Sequence, residues 1–370
     1  MSKHGVVVYG ASGYTGKLIC WHLAQAGIAF TAAGRNAERL QEQMDLVPEL
    51  AGAEYECRAV DRTVEDLAEL FAGSKVVVNV TGPFMQIGEP VVQAALQAGC
   101  HYLDTTGEQD WITHIRDEYG EAFANKGLLL APATSYMFVM GAMAAEIALE
   151  TPGIDTLDIA YLADTMTSVA STKSFLRMCT KPQYFLEQNE LVMWPYATPY
   201  DIRVPDSNRI FRALPWSGGA EPLWFRDDPR VRNCSVLIGF RSQAMFGAVI
   251  DTLRNFEQEH RHKTPEEQEE VTNALGGTIT SEEPPREHPD RNRSVISCIG
   301  RGNTNGVSVV LRGNSPYFQT AEVVVESCRQ LLAGAPRAVG FQAATTAFGA
   351  RNLMNALVEL GYQSAQVDVV

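Results

Sequence analysis

Between an apolar run, Val6-Val7-Val8-Tyr9, and a stretch with helical spacing, the chain carries glycines at positions 10, 13 and 16. A strand that ends in such a turn and feeds a helix opens a βαβ unit. The glycines permit a tight turn, close approach of backbone to a pyrophosphate and close packing of helix on strand. N–H groups at the helix start then meet the anion. Gly10, Gly13 and Gly16 are therefore the expected dinucleotide contacts, with Ser12, Tyr14 and Thr15 between them; a turn that merely needs glycine is the alternative. A Walker loop is excluded by spelling, because Ala11 and Leu18 stand where it needs Gly and Ser or Thr.

The pattern continues as alternating strand and helix. Strands are expected at 6–9, 30–33, 55–60, 76–80, 101–104 and 128–131, and helices at 15–26, 37–44, 63–71, 90–98 and 112–125. This predicts a Rossmann-type, doubly wound parallel sheet. Beyond Pro132 the strand-like segments lengthen, as at 156–163, 235–240 and 306–312, without short helices between them, which predicts a mixed or antiparallel sheet. The charged stretch 256–294 contains Thr264-Pro-Glu-Glu267, an N-cap signal for a short exposed helix followed by a loop. At 370 residues and roughly 150 per domain, two domains fit. The expected division is a nucleotide-binding domain over 1–133, an α+β substrate domain over 134–334, and a helical segment over 335–370 returning to the first domain.

The second strand selects the cofactor. An NAD site usually places an acid there for the ribose 2′-hydroxyl, whereas this strand ends Ala33-Gly34-Arg35-Asn36. Gly34 leaves room and Arg35 offers a planar donor fork suited to a 2′-phosphate, with Asn36 as a further donor. NADP(H) is the expected cofactor. Thr81, Gly82 and Pro83, after the fourth strand, are expected against the nicotinamide ribose, and Asp61 near the adenine, unless Asp61 is a helix cap or a surface partner of Arg62.

These motifs resemble the saccharopine dehydrogenase-like reductases, a family that includes trans-acting enoyl reductases. The resemblance rests on Gly10-Ala-Ser-Gly-Tyr-Thr-Gly-Lys17, Ala33-Gly-Arg-Asn36, Asn79-Val-Thr-Gly-Pro-Phe84, Gly88-Glu-Pro-Val-Val92, His101-Tyr-Leu-Asp-Thr-Thr-Gly-Glu108 and, more thinly, Gly313 to Glu322. It implies a Rossmann domain, an inserted α+β domain with a curved sheet, C-terminal helices returning to the first domain, and a cleft for nicotinamide and substrate. It also implies an NADPH-dependent reduction of a C=C bond in an acyl-type substrate. The chain departs from the family where a Gly-Phe-Asp-Ser-Ile-Pro-like turn gives way to Ala133-Thr-Ser-Tyr-Met-Phe138.

For proton transfer the candidates are Tyr136, just past the sixth strand, and Tyr102 and Glu108 around the end of the fifth. A packed core tyrosine is the alternative for Tyr136, and a hydrogen-bonded turn is the preferred reading of Asp104 and Thr105. No Tyr precedes a Lys by four residues, and neither a His-Glu-x-x-His nor a Gly-x-Ser-x-Gly occurs, so short-chain-type, metal and serine chemistry are disfavoured. The rival readings are an imine or amino-acid reductase, which needs a carboxylate clamp from Arg177, Lys173, Arg203 or Arg209, and a non-catalytic NADP(H) sensor. The aromatic residues of the second domain, among them Phe175, Trp194 and Trp216, suit a large apolar substrate, a core or a subunit interface.

A net charge of −14 repels polyphosphate and makes nucleic acid a poor partner. Seven scattered cysteines without a C-x-x-C pair fit a reducing, cytoplasmic compartment. The uncharged stretch 127–145 reads as strand, turn and helix, since Pro132 and its many small residues argue against an integral membrane segment. The expected partners are a small-molecule substrate and a second copy of the chain, as a dimer.

Overall fold

The computed structural model describes residues 4–205 and 207–369. In the first part of the chain, β1 (Val6–Tyr9), α1 (Tyr14–Gln25), β2 (Phe30–Gly34), α2 (Ala37–Asp45), β3 (Tyr55–Ala59) and α3 (Val64–Phe71) alternate. They are followed by β4 (Val76–Asn79), α4 (Phe84–Ile87), α5 (Glu89–Ala98), β5 (His101–Asp104), α6 (Gln109–Asn125) and β6 (Leu129–Ala131). The helices carry their own stop and start signals. Thr63 caps α3 by accepting from the Asp66 N–H, and Gly99, at φ +76°, ends α5 in a left-handed conformation.

Next come α7 (Tyr136–Ala148), β7 (Ile154–Ala163), α8 (Val169–Thr180), β8 (Tyr184–Glu187), β9 (Glu190–Met193), β10 (Tyr200–Arg203) and β11 (Ile210–Leu214). After them run α9 (Glu221–Phe225), β12 (Asn233–Phe240), α10 (Gln243–Glu259), α11 (Pro265–Ile279), β13 (Ser294–Gly302) and β14 (Gly306–Gly313). The chain closes with α12 (Pro316–Ala333), β15 (Gly340–Phe341), α13 (Ala344–Phe348), α14 (Ala350–Glu359) and β16 (Gln363–Val369).

The described chain forms two compact units. The first is a seven-stranded sheet in the order β15-β6-β5-β4-β1-β2-β3, parallel throughout. Val6, Val7 and Val8 are fully buried, as a strand covered on both faces requires. Val7, Val77 and Leu130 share one core with Leu67 and Phe71 of α3, Val91 of α5 and Trp111 of α6. The strand order reverses between β1 and β4, the crevice where doubly wound sheets bind ligands. The expected doubly wound fold is present.

The second unit is a mixed sheet with β7 at its centre, parallel to β12 and antiparallel to β13. Helix α11 lies in the charged stretch where one was expected, started by the Thr264–Glu267 capping box and followed by a loop to β13, while α10 enters the stretch only over residues 256–259. The boundaries differ from the expected 133 and 334. Residues 317–356 group with the first sheet, where Glu322 of α12 meets His22 of α1 at 2.5 Å and Tyr317 meets Tyr14 edge-on. Residues 357–369 group with the second, because β16 pairs with β14 instead of continuing the C-terminal helices.

Candidate cofactor site

Gly10 follows β1 at φ +95°, and its N–H and that of Ala11 both donate to the Ala33 carbonyl, tying the turn to β2. A Cβ on Gly10 would stand 2.7 Å from Thr81 Cγ2; one on Gly16 would stand 2.4 Å from the Gly10 carbonyl oxygen and 2.7 Å from Ala11 Cα. Only hydrogen fits at either position, so the turn, the first turn of α1 and the residues after β4 are pressed together. Gly13 begins α1 without a capping side chain, and no acid stands in the first turn. A helix start of this kind presents N–H groups and the positive end of the dipole to an anion. Ser12 and Thr15 are half-buried, Tyr14 is buried against Tyr317, and Lys17 Nζ donates to Gln43 Oε1 at 2.7 Å.

Past the end of β2, Arg35 is exposed. Asn36 caps α2, its Oδ1 accepting the Arg39 N–H at 2.8 Å, so its carbonyl is spent on the helix. Asp61 is exposed beyond β3. Its neighbour Arg62, which sequence reasoning treated only as a surface partner, hydrogen-bonds the Tyr9 phenol. Burial pushes that phenol upward while Arg62 and then Arg35 oppose the shift. Both guanidinium groups thus bear on the end of β1.

Thr81 and Gly82 are half-buried and Pro83 is buried. Asn79, fully buried at the end of β4, accepts from the Thr81 N–H at 3.1 Å and the Thr81 hydroxyl at 2.6 Å. Its Nδ2 donates to the Tyr102 hydroxyl at 3.0 Å, which in turn donates to Asp104 Oδ2 at 3.1 Å. Asp104 also accepts from Trp111 Nε1 at 2.9 Å, the Thr106 N–H at 3.0 Å and the Ala133 N–H at 2.9 Å. Burial outweighs these donors and raises its carboxyl to about 6, so it is ionised at neutral pH. The preferred reading of Asp104 as the anchor of a hydrogen-bonded turn fits this geometry. Asn79 was legible as a polar end to an apolar strand, whereas nothing in the sequence pointed to Trp111.

Two of the candidate proton donors are enclosed by hydrogen-bond partners. Tyr102 is fully buried, its hydroxyl proton is held by Asp104, and burial followed by the Asp104 charge puts its phenol well above the ordinary range. Glu108 belongs with the second unit, where Ser174 Oγ donates to it at 3.0 Å and Arg177 Nη1 at 3.0 Å. Glu108 and Arg177 thus form a fully buried ion pair, in which each charge is compensated by the other. Tyr136 opens α7 with its N–H donating to Thr320 Oγ1 at 3.0 Å, and its side chain is buried.

A separate buried acid had no sequence signal. Glu221, at the start of α9, accepts from the Tyr161 hydroxyl at 2.8 Å, and Tyr161 accepts from the Gly141 N–H at 2.6 Å. Burial outweighs the Tyr161 bond and nearby backbone donors and raises Glu221 to about 8. Among the described residues no cluster of His, Cys, Asp and Glu suits a metal, and no helix is long and apolar enough to cross a membrane.

This fold and turn define an α/β protein whose first unit is of the dinucleotide-binding type. Residues 6–130 match the family model described as the saccharopine dehydrogenase NADP binding domain, which makes NADP(H) the nucleotide of the first unit. Residues 139–370 match the model described as a family of unknown function, DUF5938, and the chain belongs to that family. Over 144 residues it is 33% identical to a lipid droplet localized protein of Caenorhabditis elegans, covering 37% of this chain and 34% of that one. Over 135 residues it is 33% identical to a trans-acting enoyl reductase of Mycobacterium tuberculosis, covering 35% of this chain and 32% of that one. The matched region spans about a third of the length of these relatives. Apo saccharopine dehydrogenase (L-Glu forming) from Saccharomyces cerevisiae shares the fold, with a TM-score of 0.61 at 12% identity over 99% of this chain and 100% of that one.

Proposed function

We propose that the protein is an NADPH-dependent oxidoreductase that reduces a C=C bond in a hydrophobic, acyl-type substrate. The observation that carries the reading is the first unit's turn, in which Gly10 and Gly16 have no room for a Cβ and Arg35 stands where an NAD site keeps an acid. The residues fit the cofactor. The start of α1, with Gly10, Ser12, Gly13, Tyr14, Thr15 and Gly16, receives the pyrophosphate. Arg35 receives the 2′-phosphate, with Asn36 and Asp61 beside the adenosine half, and Thr81, Gly82 and Pro83 receive the nicotinamide ribose. When bound, NADPH supplies a hydride. Tyr136 is our candidate to deliver the accompanying proton to the other carbon of the double bond.

The acyl assignment draws on the enoyl reductases among the relatives of the first unit. Against an amino-acid substrate stands Arg177, the best placed of the clamp candidates by burial, which already holds Glu108 and Glu269. The free cysteines, mostly buried, agree with a reducing compartment, and we propose a cytoplasmic homodimer.

The test is NADPH consumption with unsaturated acyl thioesters of increasing chain length. We expect equal amounts of NADP⁺ and saturated product, growing with chain length and absent with NADH. Oxidation only with an amine and a 2-oxo acid would transfer the protein to imine reduction. Tight binding without turnover on either substrate class would make it a sensor.

A further inference from the structure

The side chains that run inward from Thr81 form a chain in which each proton has a fixed direction. Thr81 gives both its N–H and its hydroxyl hydrogen to Asn79 Oδ1, so the amide turns Nδ2 toward Tyr102. Having accepted there, the Tyr102 hydroxyl gives its hydrogen to Asp104 Oδ2, which Trp111 Nε1 also meets. The N–H groups of Thr106 and Ala133 converge on Oδ1. These partners are all donors. A proton on Asp104 would face another hydrogen, and the chain is satisfied with the carboxylate ionised. Buried, one-directional networks of this kind hold one geometry, because reversing any member leaves a polar group unpaired.

What the chain holds is the turn after β4. Thr81 stands at the surface end and its methyl group packs where a Cβ on Gly10 would be, so the turn has one seat against the pyrophosphate turn. Backbone bonding holds the turn at its two ends: the Val80 N–H donates to the Tyr9 carbonyl at 2.9 Å, and the Pro83 carbonyl accepts from the Gln86 and Ile87 N–H groups at 3.2 Å. Between those ends, the Asn79 side chain holds Thr81 through its N–H and its hydroxyl.

We propose that Tyr102, Asn79 and Asp104 are positioning residues that set the Thr81–Pro83 turn for the nicotinamide-ribose half of the cofactor. The inference rests on the cofactor reading above. It assigns Tyr102 a part in cofactor recognition in place of proton donation. The adenosine half, met by Arg35 at the far side of the crevice, is outside the reach of this chain, so the two halves separate in a binding experiment.

Calorimetric titration of wild type and Tyr102→Phe with NADPH and with 2′,5′-ADP, which lacks the nicotinamide ribose, makes the test. The phenylalanine keeps the buried ring and removes only the link between Asn79 and Asp104. We expect NADPH affinity to fall about tenfold, the scale of a lost buried hydrogen bond, while 2′,5′-ADP binds as before. If Tyr102→Phe does not fold, Thr81→Val cuts the chain at its half-buried end and is expected to give the same split. Unchanged binding of both ligands, or equal weakening of both in a folded variant, would overturn the proposal. Wild type binding neither ligand would overturn the cofactor reading itself, and the inference with it.

Discussion

Asp104 and Glu221 are both fully buried carboxyls, and their neighbours give them opposite protonation states at neutral pH. Asp104 is surrounded by donors and stays ionised with its carboxyl at about 6, whereas burial outweighs the few donors around Glu221 and holds it near 8. The raised value carries a sign for stability. A carboxyl lifted from 4.5 to about 8 by folding contributes its full stabilisation below the lower value and loses it as pH climbs through the higher. Glu221→Gln removes that titration. Thermal unfolding at pH 6 and pH 9 is expected to show wild type losing at least about 3 °C more than the variant, at roughly 2–4 °C per kcal/mol. Equal losses would show that Glu221 does not titrate in this window. Residues of this kind were the least legible part of the chain. Glu221 and Tyr161 are 60 positions apart, and no local pattern announces that a helix start and a central strand will meet. Tyr102 and Glu108 stood in a visibly polar segment, yet sequence could not tell a hydroxyl open to substrate from one closed into a network.

Among the elements, the glycine turn was the most legible because its requirement is steric and local. Strand, turn and helix follow one another without long-range information, and β1 and β5 span the expected residues 6–9 and 101–104. Gly16→Ala tests how much depends on that sterics. Its methyl would stand 2.4 Å from a backbone oxygen, so α1 must shift off the turn. We expect a stability loss of about 1–3 kcal/mol and NADPH binding weaker by at least about tenfold, followed by denaturant titration and calorimetry. Gly247→Ala in α10, where an added Cβ meets nothing, is the control and should be neutral or slightly stabilising. If Gly16→Ala behaves like the control, the turn does not hold the cofactor as described. Helix α7 was foreseen only as the end of a strand-turn-helix stretch. Its opening is irregular, with non-helical dihedrals at Met137 and Phe138, in the segment that departs from the family's turn.

For the whole molecule, the doubly wound parallel character of the first sheet was legible because its strands and helices alternate along the chain, whereas its seventh strand, β15, was not foreseen. The pairing in the second sheet was not legible, since β7 finds its parallel partner β12 and its antiparallel partner β13 across long intervening segments. The same physics explains the domain boundaries, which are drawn by what α12 and β16 pack and pair with and are invisible to composition. An overall charge of −14 makes the guanidinium groups of Arg35 and Arg62 local exceptions at the end of β1. An anionic cofactor must therefore be won by specific contacts, not by a general attraction. The central claim is that this first unit selects NADPH through Arg35. Paired titrations of wild type and Arg35→Ala with NADPH and NADH test it directly. We predict a clear NADPH preference in wild type and a loss of about 1.5–3 kcal/mol for NADPH alone in the variant. Equal weakening of both cofactors, or no saturable binding of either by wild type, would contradict the account.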